Sequence, residues 1–329
     1  MVEQRFGADV LALDCAAETA RISQWLVDSV ARLGRRGVVV AISGGIDSSV
    51  CAALAARAFG RPRVLGLLLP ERDSSSAAAR LGRQVAEEMG IDYLVEDIAP
   101  ALDAIGCYRR RDAAIGVLFP DYGSDWKSKI VIASTMGGKM HYFKLVVQAP
   151  DGTVHEKRLP PKEYLEIVSA TSFKQRIRKT LEYFHADRLN YAVIGTPNRL
   201  EYDQGFFVKN GDGSADLKPI AHLYKTQVYA LARHLKIPEE ICNARPTTDT
   251  YSMAQGQDEF YFSLPYERMD VALWAYNHNV AAADLAPRIG LSAEQAKAIY
   301  ADIESKRRTT AYLHERPLLV EKIALDLTP

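Results

Sequence analysis

Ser43-Gly44-Gly45-Ile46-Asp47-Ser48-Ser49 gathers two glycines, three hydroxyls and a carboxylate in one short stretch. Glycines let successive backbone N–H groups point into one concavity, and a helix opening at Ser48 adds the positive end of its dipole. Ser43, Ser48 and Ser49 supply hydroxyl donors, so the stretch suits a phosphate. Asp47 would repel that phosphate unless a cation sat between them, which argues for Mg²⁺ held by Asp47. No Lys follows the second glycine at the spacing of a Walker A loop, and the third glycine of the dinucleotide fingerprint is missing. The bland alternative, a strand-to-helix turn that binds nothing, fits poorly with a strand, this loop and a helix in that order.

A second constellation runs from Gly195 to Asp216, through Thr196-Pro197-Asn198, Glu201, Lys209 and Gly211-Asp212-Gly213. Polar and charged groups this dense beside a strand end are costly to pack unless a ligand satisfies them. Asp212-Gly213 reads as a tight turn. Glu201 is a second carboxylate able to share a metal with Asp47, and Lys209 and Lys225 could neutralise phosphate charge. Two plainer readings stand beside these: Lys209 paired with Asp216 on the surface, and Glu201 as a solvated loop acid. Lys306-Arg307-Arg308 could likewise be a helix-end cluster that complements the macrodipole.

The elements that must position these residues read as an α/β pattern. Residues 9–33 form an amphipathic helix with Leu11, Ile22, Leu26, Val30 and Leu33 among its apolar positions. Strand Val38–Ile42 and helix Ser48–Phe59 follow, then strand Val64–Leu69, helix Ser74–Met89 and strand Tyr93–Val95. Strands alternating with helices predict a parallel sheet with helices on both faces and right-handed crossovers, and ligands in such sheets sit at the carboxyl ends of strands. The loop at 43–49 lies at one such end. Arg72 lies at another, where it could reach a phosphate or stand as a solvated charge. Residues 108–165 break the alternation: His141–Gln148 and Thr153–Leu159 read as a hairpin around Pro150-Asp151-Gly152, an insertion within a single domain spanning residues 1–329. Arg109-Arg110-Arg111 reads as a solvated face. Helices are expected at Ser172–Phe184, Tyr224–Leu235, Tyr266–Asn277 and Ala293–Ala311, with a fourth strand at Tyr191–Gly195.

Composition narrows the class. The chain has 329 residues, 48% hydrophobic and 25% charged, with 41 basic and 41 acidic side chains. That balance suits a globular enzyme and offers no bulk attraction to nucleic acid or membrane. Cys15, Cys51, Cys107 and Cys242 are isolated, as in reduced cytoplasmic proteins, and the seven histidines show no metal-ligand spacing. No apolar run reaches membrane-spanning length. The chain is therefore expected in the cytoplasm.

The SGG-x-DS loop resembles that of the N-type ATP pyrophosphatases, a Rossmann-like group that adenylates an acceptor and holds the released pyrophosphate in this loop. The block GT-x-x-x-x-E, GFF-x-K-x-GDG-x-x-D and the following KTQ is more specific: it resembles NAD synthetase. Pro246-Thr247-Thr248-Asp249, Gln257-Asp258-Glu259 and Lys306-Arg307-Arg308 continue the resemblance, which covers most of 35–110 and 170–310. It implies that Ser43, Gly44, Gly45, Asp47 and Ser48 cradle the ATP phosphates, that Asp47 and Glu201 bind Mg²⁺, and that Thr196, Lys225 and Thr247 contact ATP. Arg176, Lys209 and Asp216 would contact deamido-NAD, and Lys306 would close over it. Asp47, Lys225 and Glu201 would carry the catalysis, in a homodimer whose substrate site draws on both subunits. Ser305, Gln175 and the insertion depart from the family pattern, and these departures bear on the carboxylate substrate more than on the adenylation chemistry.

Glutamine-dependent relatives carry a long nitrilase-like domain before this one, whereas few residues precede the first strand here. The expected nitrogen donor is free ammonia, or ammonia from a separate glutaminase. The competing readings are an adenylating amide ligase for another carboxylate and a non-catalytic nucleotide-binding subunit. Retention of both Asp47 and Glu201 argues against the second of these.

Overall fold

The computed structural model describes residues 6–7, 9–134, 141–244, 251–253, 256, 261–262, 264–321 and 323. In chain order the elements are α1 (Cys15–Arg32), β1 (Val38–Ala41), α2 (Ile46–Phe59), β2 (Val64–Leu68), α3 (Ser76–Met89), β3 (Asp92–Val95), α4 (Ala99–Ala104), α5 (Cys107–Gly116), β4 (Lys127–Ser134), β5 (His141–Gln148), β6 (Val154–Arg158), α6 (Pro161–Leu189), β7 (Ala192–Ile194), α7 (Arg199–Gln204), α8 (Lys225–His234), α9 (Glu239–Asn243), α10 (Tyr266–Asn277), α11 (Ala282–Leu285) and α12 (Ala293–His314).

The central sheet is parallel, in the order β3-β2-β1-β7. Strands β1, β2 and β7 are short apolar runs buried on both faces, as a covered parallel sheet requires, whereas the edge strand β3 is largely exposed. Helices α1, α2, α3 and α8 pack one face around Val38, Val40, Leu54 and Ile194; α4, α5 and α6 pack the other around Val39, Leu65, Leu67 and Val193. After β1 the chain moves to one side for β2 and β3 and returns on the other for β7. The crevice at this reversal lies outside the carboxyl ends of β1 and β7, where open α/β sheets bind ligands. Both sequence constellations open into it. A third core joins α10, α11 and α12 through Met269, Leu273, Leu285 and Ile303.

Several elements depart from the sequence-based expectations. The first helix starts at Cys15 rather than at residue 9, because Asp14 caps it by accepting the Ala16 and Ala17 amides. Helix α2 starts two residues early, at Ile46, so Asp47 and Ser48 stand in its first turn. The expected hairpin is the second half of a three-stranded antiparallel sheet, β4-β5-β6. Strand β4 opens on Lys127-Ser128-Lys129 and closes on Ala133-Ser134, and its apolar centre Ile130-Val131-Ile132 is continuous, so it shows no apolar alternation in sequence.

The stretch 108–165 is not set apart as one unit in the structure. Tyr108 and Arg111 belong to α5 and are buried against the main sheet, so Arg111 is no part of a solvated face, while Arg109 and Arg110 are exposed. At the other end, residues 161–165 already belong to α6, which has Pro161 at its first position and runs to Leu189. Only the middle of α6 was expected. Lys174, Lys179, Glu182 and His185 are buried along it, and buried charges erase the apolar period that marks a helix. Among the described residues no helix is long and apolar enough to cross a membrane.

Candidate active site

The 43–48 loop leaves β1 and turns at Gly44, whose φ of +80° favours glycine. A Cβ at Gly44 would also run into the Ala78 carbonyl of α3, so that helix braces the loop from behind. Hydroxyls lock the turn from within: the Ser43 amide donates to Ser48 Oγ (3.2 Å), Ser48 Oγ donates to the Gly45 carbonyl (3.0 Å), and Ser49 Oγ donates to the same carbonyl (2.8 Å). Gly45 caps α2 with no side chain, so the first-turn amides face the crevice without a local acceptor.

Asp47 extends from that first turn toward the β7 side. Its Oδ2 accepts from Lys225 Nζ and its Oδ1 from Asn198 Nδ2 (3.2 Å). Lys225 opens α8 and is wholly buried. Burial alone would lower its ammonium, but the charges of Asp47 and Glu201 hold it above its ordinary value. Glu201 sits in the first turn of α7, 9% exposed, and accepts the Asn198 amide at Oε2 (3.1 Å). Burial first, and then the charge of Asp47, push its carboxyl up to about 8. The two carboxylates thus share one electrostatic field, with the Lys225 ammonium beside them.

Asn198 ties the halves of the crevice together and has no assigned role in the sequence reading. Fully buried, it accepts the Leu200 and Glu201 amides at Oδ1 while donating to Asp47. The signal is legible in hindsight: Asn198-Arg199-Leu200-Glu201 is a capping box, with Glu201 reaching back to the Asn198 amide. The sequence therefore marks a short helix here, and the cap aims two of the site's side chains.

The remaining site residues form a separate, outer group. Arg176 lies on the exposed side of α6 and donates from Nε to the Lys209 carbonyl (3.3 Å). Gly211 lets this block approach α6, since a Cβ there would lie 2.9 Å from that of Gln175. Lys209 and Asp216 do not pair. Lys209 Nζ caps the end of α12 through the carbonyls of Tyr312 (2.6 Å) and Glu315 (3.1 Å). Asp216 accepts the Val193 amide (2.7 Å) and the Tyr183 hydroxyl (3.3 Å), which fastens its loop beside β7. Lys306 stands over the Tyr261 ring and donates to the Tyr261 carbonyl (2.7 Å) and to Asp302 (2.6 Å). Thr196 is half-buried at the end of β7. Arg72 stacks on Tyr108, 3.8 Å from its ring centre. Thr247 and the segment 257–259 lie outside the described residues.

Two carboxylates are the donor set that Mg²⁺ needs when it arrives with a nucleotide, because phosphate oxygens and water complete its shell. Asp47 and Glu201 supply such a pair, and burial together with the charge of Asp47 makes ionised Glu201 costly, a cost that a bound cation would relieve. Among the described residues no group of three or more His, Cys, Asp or Glu side chains could hold a metal.

The family model described as NAD synthase matches residues 18–117 and 110–311. The NH(3)-dependent NAD(+) synthetase of Rhizobium meliloti (strain 1021) is 57% identical over 319 residues, covering 97% of this chain and 96% of that protein. The chain belongs to the NAD synthase family. Solved structures share its fold: an NH3-dependent NAD synthetase from Campylobacter jejuni superposes with a TM-score of 0.62 at 22% identity, covering 94% of this chain and all of that one. An NMN synthetase from Francisella tularensis gives a TM-score of 0.65 at 20% identity, over 93% and 98% of the two chains. The NAD synthase match reaches from within α1 into the last turns of α12, so it takes in every element that carries Asp47, Asn198, Glu201 and Lys225.

Proposed function

We propose that the chain makes NAD⁺ by ATP-dependent amidation of deamido-NAD (nicotinic acid adenine dinucleotide), with ammonia as the nitrogen donor and AMP and pyrophosphate as products. One observation carries the reading: in a NAD synthase family member, the anion loop of β1 and the Asp47–Lys225–Glu201 group meet at the crevice between β1 and β7. The name of the rhizobial relative specifies ammonia.

A carboxylate is a poor acyl donor, because its oxygen leaves badly. Its attack on the α-phosphorus of ATP forms an acyl–phosphate bond and releases pyrophosphate. Ammonia then attacks the acyl carbon, AMP departs with the former carboxylate oxygen, and the nitrogen loses a proton. The loop amides and the Ser43 and Ser48 hydroxyls bind the phosphates and then the pyrophosphate. The Lys225 ammonium, buried and locked in charge, stabilises the extra negative charge that develops at phosphorus. Mg²⁺ held by Asp47 and Glu201 would neutralise phosphate charge. Thr196 and Thr247 would contact ATP. Arg176, Lys209, Asp216 and Lys306 would bind the dinucleotide, with Lys209 and Lys306 exchanging their present carbonyl partners for it. The resemblance implies a homodimer, and the exposed Arg176 on α6 suits a substrate site completed at a subunit boundary.

The test is AMP formation from MgATP and ammonium chloride, with and without deamido-NAD. The expected result is AMP and NAD⁺ in equal amounts, only when deamido-NAD is present. AMP formation indifferent to deamido-NAD, or absent with it, would overturn the reading.

A further inference from the structure

Helix α8 begins at Lys225, and its first-turn amides need acceptors from outside the helix. The segment before it supplies none to Lys225 or Thr226. The acceptor comes from α10, about forty-five residues later in the chain: Asp270 Oδ2 takes the Thr226 amide (2.7 Å) and Oδ1 the Lys225 amide (3.2 Å). Asp270 is fully buried, on a helix whose other buried residues are Tyr266, Met269, Ala272, Leu273, Trp274 and Ala275. A carboxylate in such surroundings is costly unless its bonds are needed. Burial pushes it up to about 6, which leaves it ionised near neutrality, where the helix dipole favours a negative charge at this end.

The same residue whose backbone Asp270 grips carries the ammonium that bonds Asp47. Lys225 is therefore held at both ends, its amide by α10 and its Nζ by α2. We propose that Asp270 is a positioning residue for the adenylation step, acting through Lys225 by fixing the first turn of α8 against the phosphate loop. Asp270 itself touches no reacting atom. The inference rests on the proposed role of Lys225 in catalysis.

Asp270→Asn keeps the shape and one acceptor oxygen, whereas Asp270→Ala leaves both amides without a partner. A displacement near 1 Å at a catalytic group can cost about 10²-fold in rate. The expected losses in kcat for AMP formation are therefore about tenfold for the Asn variant and about 10²-fold for the Ala variant, with KM for deamido-NAD little changed.

Loss of a purely structural helix cap would lower thermal stability without touching kcat of the folded enzyme, so kcat is measured at a temperature where circular dichroism shows each variant folded. A double-mutant cycle with Lys225→Met decides the route. If Asp270 acts through Lys225, adding Asp270→Asn to Lys225→Met lowers kcat no further. Equal losses in the two backgrounds, or an Asp270→Ala enzyme with wild-type kcat, would overturn the proposal. A wild-type chain that forms no AMP in response to deamido-NAD would instead overturn the function on which it rests.

Discussion

The ion pair at the centre of the site joins a wholly buried Lys225 to a half-buried Asp47, which makes Asp47 a structural as well as a chemical residue. Removing the partner of a buried charge costs up to about 3–5 kcal/mol, because that charge is left unpaired. Glu201 remains in the field of Lys225 and softens that cost. Asp47→Ala is thus expected to abolish pyrophosphate release and also to lower the urea midpoint, whereas a solvated loop acid would do neither; an unchanged midpoint would contradict the pairing. Asn198 acts one step back. Asn198→Ala should lose about 0.5–2 kcal/mol of cap stability, and it should slow AMP formation because it releases both Glu201 and Asp47 from their settings. Normal turnover with reduced stability would make Asn198 a cap and nothing more. Residue types and spacing made Asp47, Glu201 and the serines legible in the sequence. The Asn198–Asp47 and Lys225–Asp47 bonds were not, since both join residues more than a hundred positions apart and neither leaves a local pattern.

Elements are legible where apolar residues dominate a stretch and hidden where several charges are buried along it. Helix α10 runs over Tyr266–Asn277, the bounds its sequence predicts, although it buries Asp270 among its apolar residues. Helix α6 is legible only in part because it buries charge, Lys174 among it, in an ionic network: Lys174 Nζ bonds Glu71 (2.8 Å) and Asp73 (2.8 Å), Arg111 of α5 bonds Asp73 (2.6 Å), and the Tyr108 hydroxyl donates to Glu71 (2.9 Å). The network joins the loop after β2 to α5 and α6, on either side of the three-stranded sheet in the chain. Burial alone would raise the Asp73 carboxyl, but the Lys174 and Arg111 charges outweigh it and hold it at about 2. A folded-state value below the unfolded one means stabilisation that is complete above the unfolded value of 3.8 and is lost as pH falls toward about 2. The contribution is on the order of 2 kcal/mol. The stability gap between the wild-type chain and Asp73→Asn should therefore be wide at about pH 5 and narrower at about pH 3, read by urea unfolding. A gap that does not change with pH would place the worth of Asp73 in packing rather than in its charge.

At the scale of the whole molecule the site divides into an inner half and an outer half. The inner half is built by β1, α2, α7 and α8, and its described side chains, Asp47, Asn198, Glu201 and Lys225, come from one chain. The outer half lies on the exposed side of α6, on the loop beside β7 and on α12, and there the sequence names residues but not their present partners: Lys209 bonds carbonyls at the end of α12. Leu165 and Phe184 stand 61% and 58% exposed on α6, on either side of Arg176 in the chain. A formal charge of zero opposes self-association weakly, and exposed apolar side chains beside binding residues favour a protein partner. A second copy covering this part of α6 would bury both side chains and come next to Arg176, which is the arrangement a shared substrate site needs. Light scattering is therefore expected to give twice the 36.5 kDa of the single chain. Phe184→Asp should shift that mass toward one chain and raise KM for deamido-NAD while ATP binding persists, because the loop at Ser43–Ser48 borrows nothing from α6. A 36.5 kDa particle with full deamido-NAD-dependent activity would show that one chain completes the outer half unaided.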